Sequence, residues 1–415
     1  MCKTVTAEPA KSSVPPFRVL GMTDVLLRGG LPWEPAASGP GVRAPVDVLV
    51  RDGRIDRVAP AIDAPGATVV EVTGQLVLPG LVEAHCHLDK TLYGGPWVPH
   101  SADDTLAGRI GNDLRRRAGL GVPSVARIAA LLAAMSAAGT THVRTHTDID
   151  PEVGLRGVEA VREAAAGSPV DVRQVAFPQH GVLINPGTAE LLEEALKSGV
   201  EAVGGLDPAG IDRDPVRHLD LIFGLAGRYG THLDLHLHDG GTLGAWELEL
   251  IIERTRALGL GGRVAVSHAY ALGQLDEAHQ GRLAEGLAGA GVAIVTAAVY
   301  SFPVPPVKRL RAAGVTVACG HDGIRDLWGP YGSGDMLERA MHVAYRSTFR
   351  ADEDIELALE AATHGGARAL GLEGYGLSPG DRADLVVVPC GGPAEAVVVH
   401  PARTLVMKDG VVLHN

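Results

Sequence analysis

Two histidines separated by one residue, His85 and His87, end a run of apolar residues that is typical of a buried β-strand. Because side chains two apart on a strand point to the same face, both imidazoles can bind one metal ion. The pair alone is weak evidence, since a chain with 17 histidines also places them at surface and hydrogen-bonding positions. Four further candidates end apolar runs in the same way, which strengthens the interpretation. They are His236, His238, His268 and Asp322.

Imidazole and carboxylate groups bind zinc and ferrous iron in proteins, and a few of them plus one open water position make a catalytic site. A metal-bound water has its pKa lowered from about 15.7 to about 7, which makes hydroxide available at neutral pH. These residues therefore predict a hydrolase that depends on one divalent metal ion, with zinc favoured over iron. The alternative, in which the side chains only bond to one another, requires several titratable groups to meet by chance.

Apolar segments of strand length alternate with helical patterns about eight times through the middle of the chain, which is typical of parallel βα units. The polar candidates lie where these strands end, and a barrel places its active site at that edge. We therefore predict an α/β fold with a (β/α)8 TIM barrel over residues 76–375. The predicted strands are 76–87, 141–148, 170–179, 201–207, 232–239, 263–268, 292–299 and 315–322. The predicted helices are 105–118, 124–138, 152–166, 188–198, 215–229, 243–258 and 304–313.

Both ends of the chain have short Val, Leu and Ile runs broken by glycine and proline, a pattern that predicts β-strands. One of the predicted C-terminal strands is 395–399. Neither end is long enough to form a stable sandwich alone, so we predict one small composite β-sandwich domain from residues 18–75 and 376–415. Residues 1–17 contain no apolar signal segment and are predicted to be a disordered tail.

The 415-residue chain has 37 basic and 49 acidic side chains, which gives a formal net charge of −12. A protein that binds nucleic acid through its phosphates normally has a basic stripe, so no nucleic-acid partner is predicted. No apolar run approaches the ~20 residues that span a bilayer, so no membrane partner is predicted. The four cysteines form no Cys-x-x-Cys pair, which favours a cytoplasmic protein without disulfides. The sequence leaves the oligomeric state open and is compatible with a homo-oligomer.

Several motifs resemble those of the amidohydrolase superfamily, specifically its cytosine deaminase branch, from about residue 23 to residue 412. Within that branch the chain is similar to the isopropylammelide-hydrolysing group. The motifs of the branch are 79–87 (PGLVEAHCH), 144–148 (RTHTD), 176–179 (AFPQ), 267–268 (SH) and 320–322 (GHD). The motifs of the group are 203–209 (VGGLDPA), 236–239 (HLHD) and 324–328 (IRDLW).

The resemblance implies a single metal ion with His268 close to the reacting water. Its implied ligands are His85, His87, His236 and Asp322. Binuclear relatives bridge two metal ions with a carboxylated lysine on the fourth strand, and the segment 201–207 contains no lysine. The resemblance therefore favours a mononuclear site.

Proton transfer is the second implied function of the site. Asp322 or His268 is expected to accept the proton of the attacking water. Cytosine deaminases have a glutamate where this chain has Asp239, whose side chain is one methylene shorter. We therefore expect Asp239, His238 or both to deliver the proton to the leaving nitrogen.

Five further residues are candidates for substrate binding. They are Gln179, Lys90, Asp207, Trp328 and Phe302. Gln179 offers a donor and an acceptor to the amide edge of a heterocycle, and its alternative is an ordinary loop residue. Lys90 is expected to bind a ring carbonyl or to pair with Asp89. Trp328 and Phe302 are expected to stack on a planar ring or to belong to the core.

The predicted reaction is hydrolysis of an exocyclic carbon–nitrogen bond, amino or alkylamino, of a small nitrogen heterocycle by metal-bound hydroxide, which releases ammonia or an amine. One alternative is a ring-opening cyclic amidase of the dihydropyrimidinase kind, against which the missing lysine argues. A second alternative is an amidohydrolase-fold scaffold without activity. A third is a barrel glycosidase, which needs two facing carboxylates and no metal.

Overall fold

The computed structural model describes residues 24–35, 44–100 and 105–415, so the predicted tail at 1–17 lies outside the described residues. The strands within these ranges are β1 (Val25–Pro32), β2 (Val46–Arg51), β3 (Arg54–Ala59), β4 (Thr68–Glu71), β5 (Leu76–Pro79), β6 (Leu81–Cys86), β7 (Thr140–Asp148), β8 (Asp171–Phe177), β9 (Ala202–Leu206), β10 (His232–His236), β11 (Val264–Ser267), β12 (Val292–Thr296), β13 (Val317–Cys319), β14 (Leu385–Val388), β15 (Leu405–Lys408) and β16 (Val411–His414).

The α-helices of the same ranges are α1 (Leu106–Arg116), α2 (Val125–Ala137), α3 (Arg156–Ala166), α4 (Thr188–Lys197), α5 (Pro215–Tyr229), α6 (Gly241–Ala257), α7 (Glu277–Ala290), α8 (Val307–Ala312), α9 (Met336–Arg346), α10 (Asp352–Ala361), α11 (His364–Leu370) and α12 (Pro393–Val399). Short 3-10 helices span Leu88–Lys90, Ala118–Leu120 and Tyr270–Gly273. None of the described helices is both long and apolar enough to cross a bilayer.

Strands β6 to β13 form one parallel sheet in which each strand pairs with the next along the chain. The sheet closes where Cys86, at the end of β6, forms a bridge with Asp322, just after β13. The backbone N–H of Asp322 donates to the carbonyl of His85 at 2.9 Å across the same seam. Every residue of β7, β9 and β12 is buried, because helices cover the outer face of a parallel barrel. The predicted TIM barrel is confirmed.

The second sheet is built from both ends of the chain, in the order β16, β15, β14, β5, β1, β2 and β3, with β4 beside β1. Strand β1 changes partners at Gly29 and Gly30: its first half pairs with β2 and β4, and its second half pairs with β5. Val25 and Ile55 from the N-terminal end pack in one apolar core with Leu385 from the C-terminal end. The fold is therefore a barrel plus a separate β domain, as the sequence predicts.

The predicted single strand at 76–87 is wrong, because the structure divides it between the two sheets. Strand β5 belongs to the β domain and β6 belongs to the barrel. The division lies at Gly80, whose N–H donates to the carbonyl of Asp384 at 2.8 Å, whereas the next residue donates to the carbonyl of Gly139 at 2.9 Å. The apolar pattern continues through this change of partner, so composition does not reveal it.

The predicted strand at 395–399 is also wrong, because these residues lie in helix α12. Ala396 and Val397 are buried, whereas Val398 and Val399 are 55% and 57% exposed, which is not the alternation of a strand. A proline in the first turn starts the helix and outweighs the strand preference of valine. Helices α7 and α9 to α11 are absent from the sequence prediction. Three glycines weaken the helical signal of α7.

Gly320 lies at the closing seam of the barrel, where a side chain has no room. A Cβ atom at this position would lie 2.5 Å from the backbone nitrogen of His85 and 2.3 Å from the carboxylate of Glu83. We expect Gly320→Ala to destabilise the protein by about 1–3 kcal/mol, because the backbone at the seam must shift. Urea unfolding measures this loss.

Gly281→Ala in α7 is the matched control. A Cβ atom there meets no other atom within 4 Å. Helix propensity favours alanine at such a position by about 0.5–1 kcal/mol. Equal stability of the Gly320→Ala variant and the wild type would contradict close packing at the seam.

Candidate active site

The candidate ligands meet at the carboxyl ends of the barrel strands. His85 lies in β6 and His236 ends β10, whereas His268 and Asp322 follow β11 and β13. One ligand atom from each of these four residues lies within 4.8 Å of the others. The structure therefore brings together residues from four strands that are distant in sequence, at the edge where a barrel carries its active site.

His87, the residue after β6, completes this cluster. Its Nε2 lies 3.2 Å from Asp322 Oδ1 and 3.4 Å from His236 Nε2. His85 Nε2 lies 3.6 Å from the same carboxylate oxygen. We call these five residues, His85, His87, His236, His268 and Asp322, the imidazole cluster.

Three residues of the site have a left-handed backbone, with φ of 36° at Asp207, 71° at His268 and 65° at Asp322. A residue other than glycine in this region costs on the order of 1–3 kcal/mol, and such residues concentrate at active sites. Asp207 and His268 follow β9 and β11 directly. The left-handed turns therefore end the strands and place these side chains beside the cluster.

A chain of hydrogen bonds fixes the tautomer of His85. Ser267 Oγ donates to Asp234 Oδ1 at 2.8 Å, so it accepts the 2.7 Å hydrogen bond from His85 Nδ1. His85 Nδ1 therefore carries the proton, and Nε2 presents a lone pair to the cluster. His87 has the same arrangement, because its Nδ1 donates to the carbonyl of His146 at 3.0 Å. Such partners are typical of histidines that bind metal ions.

Burial favours the uncharged form of three imidazoles of the cluster, His87, His236 and His268. Desolvation and the nearby Lys90 charge lower the pKa of His87 to about 4. Desolvation and neighbouring imidazoles lower the pKa values of His236 and His268 well below the ordinary value. Neutral imidazole is the form that binds a metal ion, so these rings are ready to act as ligands at neutral pH.

The donor set fits a divalent metal ion. The lone pairs of His85 and His87 face the Asp322 carboxylate across 3.6 and 3.2 Å. His236 and His268 both have buried ring nitrogens that lack a hydrogen-bond partner in the described part of the chain. Buried acceptors that face one another without a donor are costly, and a cation between them removes that cost. Nitrogen and carboxylate ligands are those that zinc and iron bind.

His238 lies beside the cluster and pairs with Asp207. Its Nδ1 is 2.8 Å from Asp207 Oδ2, and its backbone N–H donates to Oδ1 of the same carboxylate at 2.5 Å. Burial lowers the pKa of His238, but the Asp207 charge and hydrogen bond outweigh burial and raise that pKa above its ordinary value. The His238 ring lies 4.3 Å from the His268 ring. Two imidazoles whose pKa values are shifted in opposite directions are thus placed side by side.

Asp239 is not brought to the cluster. Its Oδ2 accepts from the backbone N–H of Gly210 at 2.9 Å, and its carboxyl group bonds to that of Glu247. Glu247 in turn accepts from the backbone N–H of Ala209 at 2.9 Å. Asp239 therefore anchors the loop after β9. It does not line the central cavity, which opens onto the imidazole cluster. Of the two predicted proton donors, only His238 lines that cavity.

Lys90 is buried and holds Gln179 in place. Its Nζ lies 2.8 Å from Asp148 Oδ1 and donates to Gln179 Oε1. Gln179 Nε2 donates to Asp113 Oδ2 at 3.3 Å. Burial lowers the pKa of Lys90, but Asp148 and Asp113 outweigh burial and raise it, so the ammonium stays charged. Asp89 accepts from the backbone N–H of Asp148 at 2.9 Å.

A cavity of about 540 Å³ opens onto the cluster. Its inner wall is aromatic, since the rings of Phe177 and Trp328 lie 5.5 and 5.6 Å from Lys90 Nζ. Phe302 stacks on Tyr270 with ring centroids 5.3 Å apart. Four of the predicted substrate-binding residues line this cavity. Asp207 does not line it and instead forms a hydrogen bond with His238. The four are Gln179, Lys90, Trp328 and Phe302.

Sequence reasoning missed three buried residues that support the site, Ser267, Asp234 and Asp113. Asp234 lies in β10 two residues before a cluster histidine and also pairs with Arg144 at 2.5 Å. A charged residue inside an apolar strand is the signal that could identify Asp234. Asp113 gave no such signal, because it lies on helix α1 and only the fold brings it to Gln179.

A family model described as the amidohydrolase family matches residues 124–414. That segment is well over half of the chain and contains every strand from β7 to β16. The chain belongs to the amidohydrolase family. This amidohydrolase is also similar to an amidohydrolase, an aminohydrolase and a deaminase over most of its length.

It is 32% identical over 374 residues to the N-isopropylammelide isopropyl amidohydrolase of Pseudomonas sp. (strain ADP), with 88% of this chain and 93% of that protein covered. The crystal structure of N-isopropylammelide isopropylaminohydrolase from Burkholderia multivorans ATCC 17616 is 47% identical with a TM-score of 0.89, and the match covers 95% of this chain and 99% of that one. The crystal structure of 5-methylcytosine deaminase from Klebsiella pneumoniae, liganded with 5-fluorocytosine, is 27% identical with a TM-score of 0.81, covering 94% and 97%.

These comparisons confirm the predicted membership of the amidohydrolase superfamily and the similarity to the isopropylammelide and cytosine deaminase groups. They also confirm that this amidohydrolase is an enzyme of the class that hydrolyses carbon–nitrogen bonds other than peptide bonds. A divalent metal ion is typical of the family, and the imidazole cluster fits one.

Ser267→Ala removes the hydroxyl that joins His85 to Asp234. We expect the affinity for zinc to fall about 10–100-fold, because His85 loses the partner that holds its ring and tautomer. Competition with a chromogenic chelator measures the dissociation constant. Ser136→Ala is the control, since the buried Ser136 hydroxyl in α2 has no hydrogen-bond partner in the described structure. Unchanged zinc affinity in Ser267→Ala would contradict a role in metal binding for the hydrogen bonds from Asp234 through Ser267 to His85.

Proposed function

We propose that this amidohydrolase hydrolyses an exocyclic carbon–nitrogen bond, amino or alkylamino, of a small nitrogen heterocycle and releases ammonia or an amine. The observation that carries the proposal is the convergence of buried imidazole lone pairs on the Asp322 carboxylate beside a cavity with an aromatic wall. Zinc is the proposed metal, because it binds nitrogen and carboxylate ligands. Iron binds the same ligand types and is the alternative.

The proposed metal ligands are His85, His87, His236 and Asp322. A bound divalent ion lowers the pKa of a coordinated water to about 7 and so supplies a nucleophile at neutral pH. His268 belongs to the same cluster, and both of its ring nitrogens lack a hydrogen-bond partner in the described structure. His268 is therefore the proposed acceptor of the proton from that water, with Asp322 as the second candidate.

His238 is the proposed donor of a proton to the leaving nitrogen. Asp207 holds its Nδ1, and the raised pKa of the ring favours the protonated imidazole. Transfer of this proton converts the leaving group into a neutral amine as the ring carbon becomes a carbonyl carbon. The neighbouring His268 ring, 4.3 Å away, passes the proton that it took from water to His238. One water molecule is therefore consumed for each amine released.

Lys90 and Gln179 are proposed to bind the polar edge of the heterocycle. The Lys90 ammonium supplies donors to a ring carbonyl, and the Gln179 amide supplies both a donor and an acceptor. Their bonds to Asp148 and Asp113 fix both side chains before the substrate enters. Trp328 and Phe302 are proposed to stack on the ring, whose planar faces match their own.

The names of the relatives support this substrate class. N-isopropylammelide and 5-methylcytosine are both nitrogen heterocycles, with an exocyclic alkylamino group and an exocyclic amino group respectively. The ring-opening alternative has less support, because β9 contains no lysine to bridge a second metal ion. A two-carboxylate glycosidase has less support, because the carboxylate of the cluster is surrounded by imidazoles.

We also propose that this enzyme acts on a small molecule in the cytoplasm without a nucleic-acid partner. The formal net charge of −12 supports the absence of nucleic-acid binding. Cys86, Cys319 and Cys390 are free and buried, which supports a reducing compartment.

A panel of aminotriazines, aminopyrimidines, pterins and cyclic ureas tests the proposal with zinc-loaded and iron-loaded enzyme. We expect ammonia or amine release from an aminotriazine or aminopyrimidine, and loss of that release when a chelator removes the metal. In His236→Ala both metal content and turnover should fall more than about 100-fold, because a ligand is lost. His279→Ala, at the exposed start of α7, is the matched control. Full activity in chelator, or a ring-opened product, would contradict the proposal.

Asp207→Asn tests the role of His238 as an acid. Because the Asp207 charge raises the pKa of His238, its removal lowers that pKa. The imidazolium then deprotonates earlier as the pH rises, and the alkaline limb of kcat/KM should move to lower pH by about one pH unit or more. Asp220→Asn is the control, since Asp220 pairs with Arg254 on the surface. An unmoved alkaline limb would exclude His238 as the acid.

A further inference from the structure

The cavity extends well beyond the imidazole cluster. Its volume of about 540 Å³ lies in the range of about 300–1,000 Å³ that encloses drug-sized ligands. One face of α9 lines part of this cavity. The side chains of this face are Glu338, Arg339, His342, Tyr345 and Arg346. We call this part the outer chamber.

A row of aromatic rings connects the outer chamber to the cluster. The ring of Tyr331 lies 6.1 Å from that of Tyr300, which lies 6.2 Å from Phe302. Phe302 stacks on Tyr270 at 5.3 Å, and Tyr270 lies 5.5 Å from His268. Tyr331 is 69% exposed, so this row begins at the mouth of the cavity. A substituent on a heterocycle bound at the cluster can follow these rings outward.

The two arginines of the outer chamber form no ion pair with a carboxylate in the described part of the chain. Arg346 donates to the carbonyls of Phe302 at 2.8 Å and Val299 at 3.4 Å, and Arg339 donates to the carbonyl of Ala297 at 2.7 Å. Arg339 is only 5% exposed, and its Nε has no hydrogen-bond partner. A buried cation is costly unless it is paired, and the carboxylates of Glu83, Glu338 and Asp322 act on Arg339. Arg346 lines the cavity without an ion pair in the described structure, so the outer chamber favours an anion at Arg346.

Acidic side chains that line the cavity are bound to other groups. Glu338 bonds to the hydroxyl of Ser333. Asp326 accepts from the backbone N–H groups of Trp328 and Gly329 at 2.8 and 3.0 Å. Neither carboxylate forms an ion pair with Arg346 in the described part of the chain, so this guanidinium remains for an anionic ligand.

We propose that the substrate has an acidic arm, a carboxylate on a short substituent of the heterocycle, and that Arg346 binds this carboxylate in the outer chamber. The inference rests on the proposed function, because the heterocycle itself must lie at the cluster. A guanidinium has five N–H donors, and the bonds of Arg346 to two carbonyls leave donors that match a carboxylate. Arg346 is thus a specificity residue that contacts the substrate away from the reacting carbon.

The test compares two aminotriazines whose alkyl arms have equal length and end in a carboxylate or in its neutral amide. Two quantities are measured for each compound: kcat/KM with zinc-loaded enzyme, and the dissociation constant with metal-free protein by calorimetry. We expect the wild type to prefer the carboxylate at least about tenfold in both quantities, since a charged hydrogen bond is lost with the amide.

In Arg346→Gln the carboxylate compound should lose about 10–100-fold in both quantities, and this loss should exceed that of the amide compound at least about tenfold. Arg346→Lys keeps the charge and should recover part of the preference. Arg217→Gln, on the exposed side of α5, is the matched control and should leave the preference unchanged.

Three results would overturn the inference: no preference in the wild type, equal losses of both compounds in Arg346→Gln, or no binding of either compound. Equal losses would show that Arg346 only supports the loop after β12. The two proposals fail separately. Amine release from both compounds without a preference leaves the proposed function intact, whereas preferential binding of the carboxylate without amine release supports the outer chamber and contradicts the proposed function.

Discussion

The site depends on keeping several buried imidazoles uncharged while they lie almost in contact. The ring of His85 lies 4.2 Å from that of His146 and 4.5 Å from that of His236, so a proton on one ring would be repelled by any other charged ring. Burial lowers the pKa of His146 to about 3. Asp234 and Ser267 add the hydrogen bonds that fix the tautomer of His85. Together these contacts leave a concave set of lone pairs that a bound cation would stabilise, so we expect metal binding and the stability of the barrel mouth to be linked.

The proposed acid and the proposed base differ in environment and not in residue type. His238 and His268 have the same side chain and adjacent rings, yet their pKa values move in opposite directions. The difference comes from Asp207, which lies behind His238 and has no equivalent behind His268 in the described structure. Two like groups with diverging pKa values are a common basis for moving a proton in one direction through a site. The left-handed backbone at Asp207 and His268 is the local cost of this juxtaposition.

The sequence was sufficient to predict the barrel, because strand and helix patterns alternate and polar residues gather at strand ends. It was also sufficient to nominate the imidazole cluster, because histidines and one aspartate recur at the ends of several predicted strands, in motifs that resemble those of a known superfamily. It was not sufficient for Asp239, because the direction of a side chain three residues beyond a strand depends on the loop that Gly210 and Glu247 stabilise. The arginines of α9 were equally hidden, because helix α9 lies after the eighth strand, outside the regular alternation.

Strand β6, which supplies His85, continues from β5 of the β domain with only Gly80 between them. Gly80 is tied on both sides: its N–H donates to Asp384, and its carbonyl accepts from the hydroxyl of Tyr375 at 2.6 Å. A local opening of the C-terminal strands would therefore loosen the backbone that carries the first metal ligands. We therefore expect the small domain and the barrel to behave as one cooperative unit, in which fraying at the end of the described chain would reach the proposed reaction centre.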